Sequence, residues 1–577
     1  MEKALSVLLA LALLCGLCLP ASAEDGLRLT VLGRQRSGIT FEEVQTLNAW
    51  NVLCGMFAEN GLTVDYTVVE RDQYAAILNA TLSSGDIPDM FYAASLSDAD
   101  CINLIEGGRL LDINEALAYS AGPAAREFGP GGLYEVSTQM NTYTDGGMYF
   151  FGNVSLQISV ENEYFGPQAI IGNNCAMLIR LDWLDALGLP MPTTPDEVLS
   201  TLIAFQENDM NGNGIADERM CVDVSGTSGS GSSNNTNDQN FNGVAQWFGL
   251  APFDYQLNRL TNKAEVPILQ EGYVDYVNFL QACVDAGVLQ LGDRVSYYNG
   301  GTSEGDGLNA IMQDNCVSMY YGVALADHAY QPEGAVYTVM PTIRGTDKAD
   351  PVMAVSSGYK VWSRWAFSAD ADPKAVAAFL DTICTQEYAK WVTFGIEGET
   401  YEIDPESGYY TFTASNVVAD ILSSGKARGY MLVIDSFLPD ASQIGWYQEY
   451  YGPLNWNSYD EFLASAYFTD MLTRQYTENQ ISNLRIWCEN ASNTLLYNFN
   501  MDIGMITPMN TLDEADVLDM YNMELSTRLA EMTVGFLTGL FDIGDYESLV
   551  AELNDMGLQE VLAVRQAQYD RYNGIEP

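Results

Sequence analysis

The sequence SGDIPDMFY, at residues 84–92, ends a regular alternation of strand-like and helix-like segments. The segments before it are a β-rich run at 27–32, helical apolar spacing over 41–59, a second β-rich run at 62–69 and a helical pattern over 73–82. Within the quoted stretch, a polar turn leads into a third short strand, Met90–Tyr92. The order strand, helix, strand, helix, strand predicts an α/β fold with a largely parallel sheet covered by helices on both faces.

The third strand ends where ligands bind in this class of fold. Open parallel sheets bind ligands beyond the carboxyl ends of their strands. Phe91 and Tyr92 are therefore candidate ligand-binding residues. Two aromatic residues in an apolar strand are equally typical of a hydrophobic core, so both interpretations stay open at this point.

A second α/β region begins after the segment GGMY at 146–149. Residues 175–180 have a strand pattern, and residues 181–188 form a short predicted helix that ends at a glycine. A longer helix is predicted to begin with Thr194 as its N-cap and Pro195 in its first helical position.

Composition and charge exclude several classes of protein. The chain has 577 residues, 47% of them hydrophobic, which allows more than one globular domain. Its 25 Lys and Arg against 77 Asp and Glu give a net charge of −52, which repels phosphate backbones and excludes nucleic acid as a partner. A single histidine, His328, also excludes multi-histidine metal sites.

The first 23 residues are typical of a secretory signal peptide. A short charged start leads into the apolar run from Ala4 to Leu19, and Ala21-Ser22-Ala23 matches a cleavage site. Cys15 and Cys18 each follow a leucine rather than a small residue, which argues against a lipid anchor. We expect an exported protein, located outside the cell or in the cell envelope.

The eight cysteines of the mature chain are far apart in sequence and form no Cys-x-x-Cys pair. This spacing argues against a zinc or iron–sulfur centre. Export permits disulfides, but a chain of this length buries a core without them. We expect buried free thiols, with disulfides as the alternative.

The sharpest motif is DMNGNGIADE at residues 209–218. Ca²⁺ takes about six to eight oxygen ligands, which alternate positions of a tight loop supply. An EF-hand has a glutamate at its twelfth position, where this chain has Met220, so Glu218 would supply the missing carboxylate. The alternative is a polar turn without a metal. The predicted ligands of a structural Ca²⁺ ion are Asp209, Asn211, Asn213, the carbonyl of Ile215, Asp217 and Glu218.

Catalytic signatures are absent from the sequence, whereas aromatic residues beside polar ones are frequent. There is no nucleophile elbow, no phosphate-binding loop and no His-Glu-x-x-His. Aromatic faces flanked by polar groups suit sugar rings, which have apolar faces and hydroxyl edges. Core packing is again the alternative. The further candidate ligand-binding residues are Trp247, Tyr320, Tyr321 and Trp446.

Several motifs together resemble one protein family. They are SGDIPD at 84–89, GRLLDI at 108–113, IRLDWLDALGL at 179–189 followed by PTT at 192–194, FGIEGETY at 394–401, and the tail segments FLTG at 536–539 and AQYDRY at 567–572. On these motifs the chain resembles the extracellular solute-binding proteins of ABC importers, in the carbohydrate-associated family 1 that includes alginate and lipo-oligosaccharide binders.

The resemblance implies a periplasmic-binding-protein-like fold of two α/β lobes, a multi-crossing hinge and a helix-rich C-terminal part. Lobe one would comprise 24–152 and 353–410, and lobe two 153–352 and 411–577, which includes the calcium-type loop. The hinge crossings would lie near Phe151–Asn153, Pro351–Met353 and Tyr410–Phe412. In alginate-binding relatives the calcium-type loop is structural.

The function implied by the resemblance is capture of an oligosaccharide or related polar solute for an ABC permease, by a monomer that is not an enzyme. Two other classes stay open from the residues alone. One is a secreted polysaccharide-active enzyme with a carboxylate pair, since a chain with 77 acidic residues always offers some pair. The other is a surface adhesin.

Overall fold

The structure is a computed structural model, and it divides the chain into two compact units. Unit 1 comprises residues 1–155, 361–452 and 508–512, and unit 2 comprises 156–360, 453–507 and 513–577. The residues that the structure describes are 26–35, 40–46, 48–132, 134–152, 175–221, 243–250, 256–258, 261–289, 315–323, 332, 334–340, 343–354, 364–388, 391, 396–399, 401–403, 405, 410–412, 500–502 and 508–575. The signal peptide prediction and Trp446 fall outside these ranges.

Unit 1 is a five-stranded sheet with helices packed against it. Its strands are β1 (Leu27–Arg34), β2 (Leu62–Val69), β3 (Met90–Tyr92), β4 (Phe150–Phe151) and β12 (Trp365–Phe367), in the order β2-β1-β3-β12-β4. Its helices are α1 (Phe41–Gln45), α2 (Asn48–Glu59), α3 (Arg71–Ser84), α4 (Asp98–Glu106), α5 (Ile113–Leu117), α6 (Pro123–Glu127), α7 (Glu135–Asn141) and α12 (Pro373–Ile383). A hairpin of β13 (Tyr401–Ile403) and β14 (Tyr410–Phe412) completes the described part of the unit.

The predicted parallel pairing of the first three strands is confirmed. β1 pairs in parallel with both β2 and β3, whereas β12 runs antiparallel to β3 and β4. Helix α12 packs against the sheet, because its Phe379 lies edge-on to Phe367 of β12 with 6.2 Å between the ring centroids. Phe379 also stacks on Phe57 of α2, with 5.4 Å between the centroids. The carboxyl ends of β1 and β3 therefore meet at one edge of the sheet.

Unit 2 is built around a four-stranded mixed sheet. Its strands are β5 (Cys175–Arg180), β6 (Arg219–Cys221), β9 (Val317–Val323) and β10 (Tyr337–Val339), in the order β10-β5-β9-β6. β5 runs antiparallel to both neighbours, and β6 runs parallel to β9. Two small two-stranded sheets pair β7 (Gln256–Asn258) with β8 (Lys263–Glu265), and β11 (Val352–Ala354) with β15 (Asn500–Asp502).

The helices of unit 2 confirm the predicted helix-rich C-terminal part. They are α8 (Leu181–Leu187), α9 (Pro195–Glu207), α10 (Gly243–Trp247), α11 (Tyr273–Asp285), α13 (Leu512–Leu537), α14 (Tyr546–Asp555) and α15 (Leu558–Tyr572). The predicted start of α9 is also confirmed, because the Thr194 side chain accepts a hydrogen bond from the Glu197 backbone N–H. No helix in the described part of the chain is both long and apolar enough to span a membrane.

The lobe boundaries stay predictions, and the compact units of the structure divide the chain differently at several places. Residues 353–360 were expected in lobe one, but they belong to unit 2, where β11 pairs with β15. Residues 508–512 were expected in lobe two, but they belong to unit 1, where Asn510 Nδ2 donates to Asp98 Oδ2 at 2.9 Å.

The cysteines follow the free-thiol prediction as far as the structure describes them. Cys54, Cys101, Cys221, Cys283, Cys316 and Cys384 carry thiols that form no disulfide, and all but Cys54 are buried. Burial raises the pKa of the Cys101 thiol to about 11 and that of Cys221 to about 12. These thiols stay protonated at neutral pH and act as small core residues.

Candidate functional site

The calcium-type loop connects the end of α9 to the start of β6. Its backbone turns sharply, with Asp209, Gly212 and Gly214 at φ values of 48°, 71° and 79°. Glycine adopts such angles without strain, and aspartate tolerates them better than most residues. The two glycines thus explain why the loop has this sequence.

Short backbone-to-side-chain hydrogen bonds hold the loop in shape. The Gly214 N–H donates to Asp209 Oδ2 at 2.9 Å, and the Ile215 N–H donates to Asn213 Oδ1 at 2.7 Å. The Asn213 N–H donates in turn to Asn211 Oδ1 at 3.1 Å. Side-chain oxygens from the first, third and fifth positions therefore point into one turn, as an oxygen-coordinating loop requires.

The carboxylates of the loop are only partly satisfied by these bonds. Asp217 accepts from the side-chain amides of Asn211 and Asn213, each at 2.9 Å, and Glu218 Oε1 accepts from the Asn211 N–H at 3.1 Å. The other oxygens, Asp209 Oδ1 and Glu218 Oε2, are buried without a hydrogen-bond partner. Glu218 is fully buried, at 0% exposure. A buried carboxylate oxygen without a donor is costly unless a cation or a proton neutralises it.

The donor chemistry of the loop therefore fits a hard cation. The fit is incomplete, because no group of three or more His, Cys, Asp or Glu side chains is close enough to hold a metal among the described residues. Asn211 and Asn213 turn their amide nitrogens toward Asp217 and thereby occupy its carboxylate.

The carboxyl edge of the unit 1 sheet places Phe91 and Tyr92 in the core. Tyr92 is 1% exposed and Phe91 is fully buried. The Tyr92 ring packs against Tyr74 at 6.1 Å and against Trp365 at 5.3 Å between centroids. A sugar needs an open ring face to stack on. The burial of Phe91 and Tyr92 favours the packing interpretation that the sequence left open, and ligand contact by these residues stays a prediction.

Two of the candidates in unit 2 are also core residues. Tyr320 is buried and packs edge-on against Tyr337 at 5.1 Å, and Trp247 is buried against Phe279 at 6.2 Å. Their burial favours the packing alternative for both residues, and ligand contact stays a prediction. For Tyr321 the structure describes only the backbone, which pairs with Met177 across β5 and β9.

Sequence analysis missed the charged residues at the unit 1 edge. Arg34 is the last residue of β1, and its guanidinium lies over the Tyr92 ring, 4.2 Å from the centroid. Arg364 precedes β12 and donates to Asp98 Oδ1 at 2.9 Å. The one sequence signal that could have found Arg34 is its position at the end of an apolar strand.

Comparison with known proteins gives two relatives that are named for the carbohydrates they bind. No protein-family profile matches the chain. It is 28% identical over 233 residues to the fructooligosaccharide ABC transporter substrate-binding protein FusA of Streptococcus pneumoniae, across 40% of each chain. It is 22% identical over 336 residues to the polygalacturonan/rhamnogalacturonan-binding protein YtcQ of Bacillus subtilis, across 56% of this chain and 58% of that one. The matches thus span about half the length of these curated relatives.

Solved structures match over nearly the whole chain. The complex of FusA with kestose has a TM-score of 0.65 at 18% identity and covers 95% of this chain and 100% of its own. An EF-hand mutant of FusA with fructo-nystose has a TM-score of 0.63, also at 18% identity, with the same coverage. The alginate-binding protein AlgQ2 without calcium ion has a TM-score of 0.56 at 16% identity, and covers 95% of this chain and 99% of its own. The predicted resemblance is confirmed, and the chain has the fold of the carbohydrate solute-binding proteins of ABC transporters.

Proposed function

We propose that this protein captures an oligosaccharide outside the cytoplasmic membrane and delivers it to an ABC permease. The observation that carries the proposal is the agreement between the fold and two curated relatives, a fructooligosaccharide ABC transporter substrate-binding protein and a polygalacturonan/rhamnogalacturonan-binding protein. These relatives are binding proteins and not enzymes, so the secreted-enzyme alternative is not favoured.

Export and lobe closure complete the proposal. The signal peptide at 1–23 would direct export of the chain from the cytoplasm. The exported protein would act as a monomer. The two units would close on the solute by a hinge rotation. Tyr321 and Trp446 stay the proposed aromatic contacts, since the other four candidates are core residues.

A structural Ca²⁺ ion in the loop at 209–218 is the second part of the proposal. Two observations support it. The carboxylate oxygens Asp209 Oδ1 and Glu218 Oε2 are buried without a hydrogen-bond donor. One of the similar solved structures is an EF-hand mutant of FusA. Bound Ca²⁺ would be coordinated by these oxygens together with those of Asn211, Asn213, Ile215 and Asp217, and it would neutralise the carboxylates among them. The loop lies between α9 and β6, so its role is to stabilise unit 2.

A thermal-shift screen tests the proposed function. Ligands that bind only the folded state raise the melting temperature by mass action. The screen uses fructooligosaccharides, pectin fragments, alginate fragments and N-glycan oligosaccharides, with monosaccharides and amino acids as controls. We expect at least one oligosaccharide class to raise the melting temperature in a concentration-dependent way. A shift with amino acids and none with any sugar would contradict the proposal.

A further inference from the structure

Three aromatic side chains pack together at the edge strand of the unit 1 sheet. Phe41 is the first residue of α1, Trp50 lies in the first turn of α2, and Tyr66 lies on β2. The centroid of the Trp50 ring lies 5.3 Å from that of Phe41 and 5.3 Å from that of Tyr66, and both contacts are edge-on. The centroids of Phe41 and Tyr66 lie 6.4 Å apart. We call these three residues the aromatic cluster.

The aromatic cluster lies toward the carboxyl ends of the parallel strands, where open α/β sheets bind their ligands. β1 and β2 run parallel, and α1 and the start of α2 follow the carboxyl end of β1. Tyr66 lies in the carboxyl half of β2. The first residue of α2, Asn48, donates through Nδ2 to Glu399 Oε1 at 2.7 Å, so the FGIEGETY motif contacts α2 beside the aromatic cluster.

Two polar atoms of the aromatic cluster are buried and have no hydrogen-bond partner in the described part of the chain. They are Trp50 Nε1 and the hydroxyl oxygen of Tyr66. Trp50 as a whole is 3% exposed. A buried donor without an acceptor destabilises a fold. Departures of this kind from a fully satisfied interior are expected at functional sites, where the missing partner is supplied by a ligand.

Both polar groups are able to donate at neutral pH. The indole N–H of Trp50 is a donor only, whereas a tyrosine hydroxyl both donates and accepts. Burial, and then the neighbouring Tyr388 and Cys54, raise the pKa of Tyr66 well above its ordinary value, so its hydroxyl stays protonated. The aromatic cluster therefore holds two uncharged donors beside aromatic rings.

This combination suits a sugar residue. A sugar ring has apolar C–H faces, which pack on aromatic rings, and hydroxyl and ring oxygens at its edge, which accept hydrogen bonds. A sugar placed against Trp50 and Tyr66 would give both donors an acceptor and would bury one of its apolar faces. The three side chains are uncharged at neutral pH, so they fit the hydroxyl edge of a sugar better than a carboxylate.

Phe41 packs against both rings that carry the donors, and it is the member of the aromatic cluster that can move most easily. Its side chain is half-buried, and α1 has only five residues. A helix this short has little stability of its own. Trp50 and Tyr66, in contrast, belong to the twelve-residue helix α2 and to the eight-residue strand β2. Displacing the Phe41 ring therefore costs less than moving either of the other two.

We propose that Trp50 and Tyr66 bind one sugar residue of the solute by donating hydrogen bonds to its oxygens, and that this sugar displaces the Phe41 ring. The inference rests on the proposed function and names a subsite for its ligand. It explains why two donors without acceptors are buried next to each other near the carboxyl edge of the sheet.

Calorimetric titrations of the mature protein test the subsite with three probes, namely kestose, trigalacturonate and an alginate trisaccharide. Tyr66→Phe and Trp50→Phe each remove one donor and keep an aromatic ring. Each should weaken the probe that binds by about two- to tenfold, the range for a neutral hydrogen bond. Phe41→Ala should have the opposite sign and tighten binding, because the sugar no longer displaces a ring.

Melting curves without sugar separate this role from packing. Tyr66→Phe removes a buried hydroxyl that has no partner, so the melting temperature should stay the same or rise. Tyr143→Phe is the matched control in the same unit, because the Tyr143 hydroxyl donates to Glu106 Oε1 at 2.9 Å. The control should lower the melting temperature and leave the affinity for the probe unchanged.

Each contrary result identifies the statement that fails. Unchanged affinity in both Tyr66→Phe and Trp50→Phe would overturn the subsite and leave the proposed function intact. Weaker binding by Phe41→Ala would overturn the displacement of its ring. A melting temperature of Tyr66→Phe as low as that of the control would show that the hydroxyl has a structural role, and this would also overturn the inference. If none of the three probes binds to the unchanged protein, the proposed function itself fails.

Discussion

The calcium-type loop and the carboxyl edge of the unit 1 sheet differ in how their residues are arranged along the chain. The loop takes all of its candidate ligands from ten consecutive residues, so their spacing alone predicted the turn that the structure shows. The edge collects Arg34, Tyr92 and Arg364 from three separate segments. A contiguous site is visible as a motif, whereas an assembled site is visible only once strand order is known.

The largest expected effect concerns the edge. Tyr92→Ala should destabilise unit 1 by about 3–5 kcal/mol, the range for removal of a large buried aromatic side chain. Chemical denaturation measures the free energy of unfolding, with Tyr119→Ala, an exposed tyrosine of the same unit, as the control. Unchanged stability of Tyr92→Ala would mean that Tyr92 is not a core residue.

The next effect concerns the loop. Ca²⁺ at a hundredfold excess over its Kd should stabilise the protein by about 2.7 kcal/mol, and EDTA should reverse this. Asp209→Asn should abolish the difference, because it removes one carboxylate but keeps a residue that tolerates the φ of 48°. Asp185→Ala, at an exposed acidic residue of the same unit, should retain the calcium response.

Differential scanning with Ca²⁺ and with EDTA gives this comparison directly. An identical melting temperature in both conditions would mean that the loop is a polar turn that binds no Ca²⁺. In that case hydrogen bonds within the loop, such as those from Asn211 and Asn213 to Asp217, would account for its stability without a cation.

The smallest expected effect concerns helix α9 and tests whether the calcium response of the loop depends on this helix. Thr194 caps the start of α9, whose far end enters the loop. Thr194→Ala should cost about 1 kcal/mol of unfolding free energy and leave the calcium-dependent shift unchanged. Urea denaturation with and without Ca²⁺ measures both. A lost calcium response in Thr194→Ala would show that the loop depends on the whole helix and is not a local site.

Much of the fold was predictable because local signals agreed with one another. The strand and helix alternation, the Thr194 cap and the glycine-dependent turns each have a local physical cause. The motifs that carried the family resemblance include residues that hold the fold together. Arg180, for example, donates to Asp182 at 2.6 Å and to Asn315 at 2.6 Å, which ties the end of β5 to the start of β9.

The carboxyl edge of the unit 1 sheet was less predictable for a physical reason. The hydrophobic period and the composition of a segment do not distinguish a buried aromatic residue from one that stacks on a sugar. Four of the aromatic candidates are buried in the structure. Arg34 belongs to no motif, because its contact with Tyr92 joins residues that lie 58 positions apart in sequence. The pairing of 508–512 with unit 1 was likewise invisible, since it depends on the contact from Asn510 to Asp98.

The most direct test of the central claim is a calorimetric titration of the purified mature protein with the best oligosaccharide from the screen, followed by mass analysis of the recovered sugar. A binding protein for an importer should give saturable heat at one ligand per chain and return the sugar at its original mass. Cleaved or otherwise altered sugar would identify an enzyme, and the absence of saturable heat from every oligosaccharide would contradict capture of this class of solute.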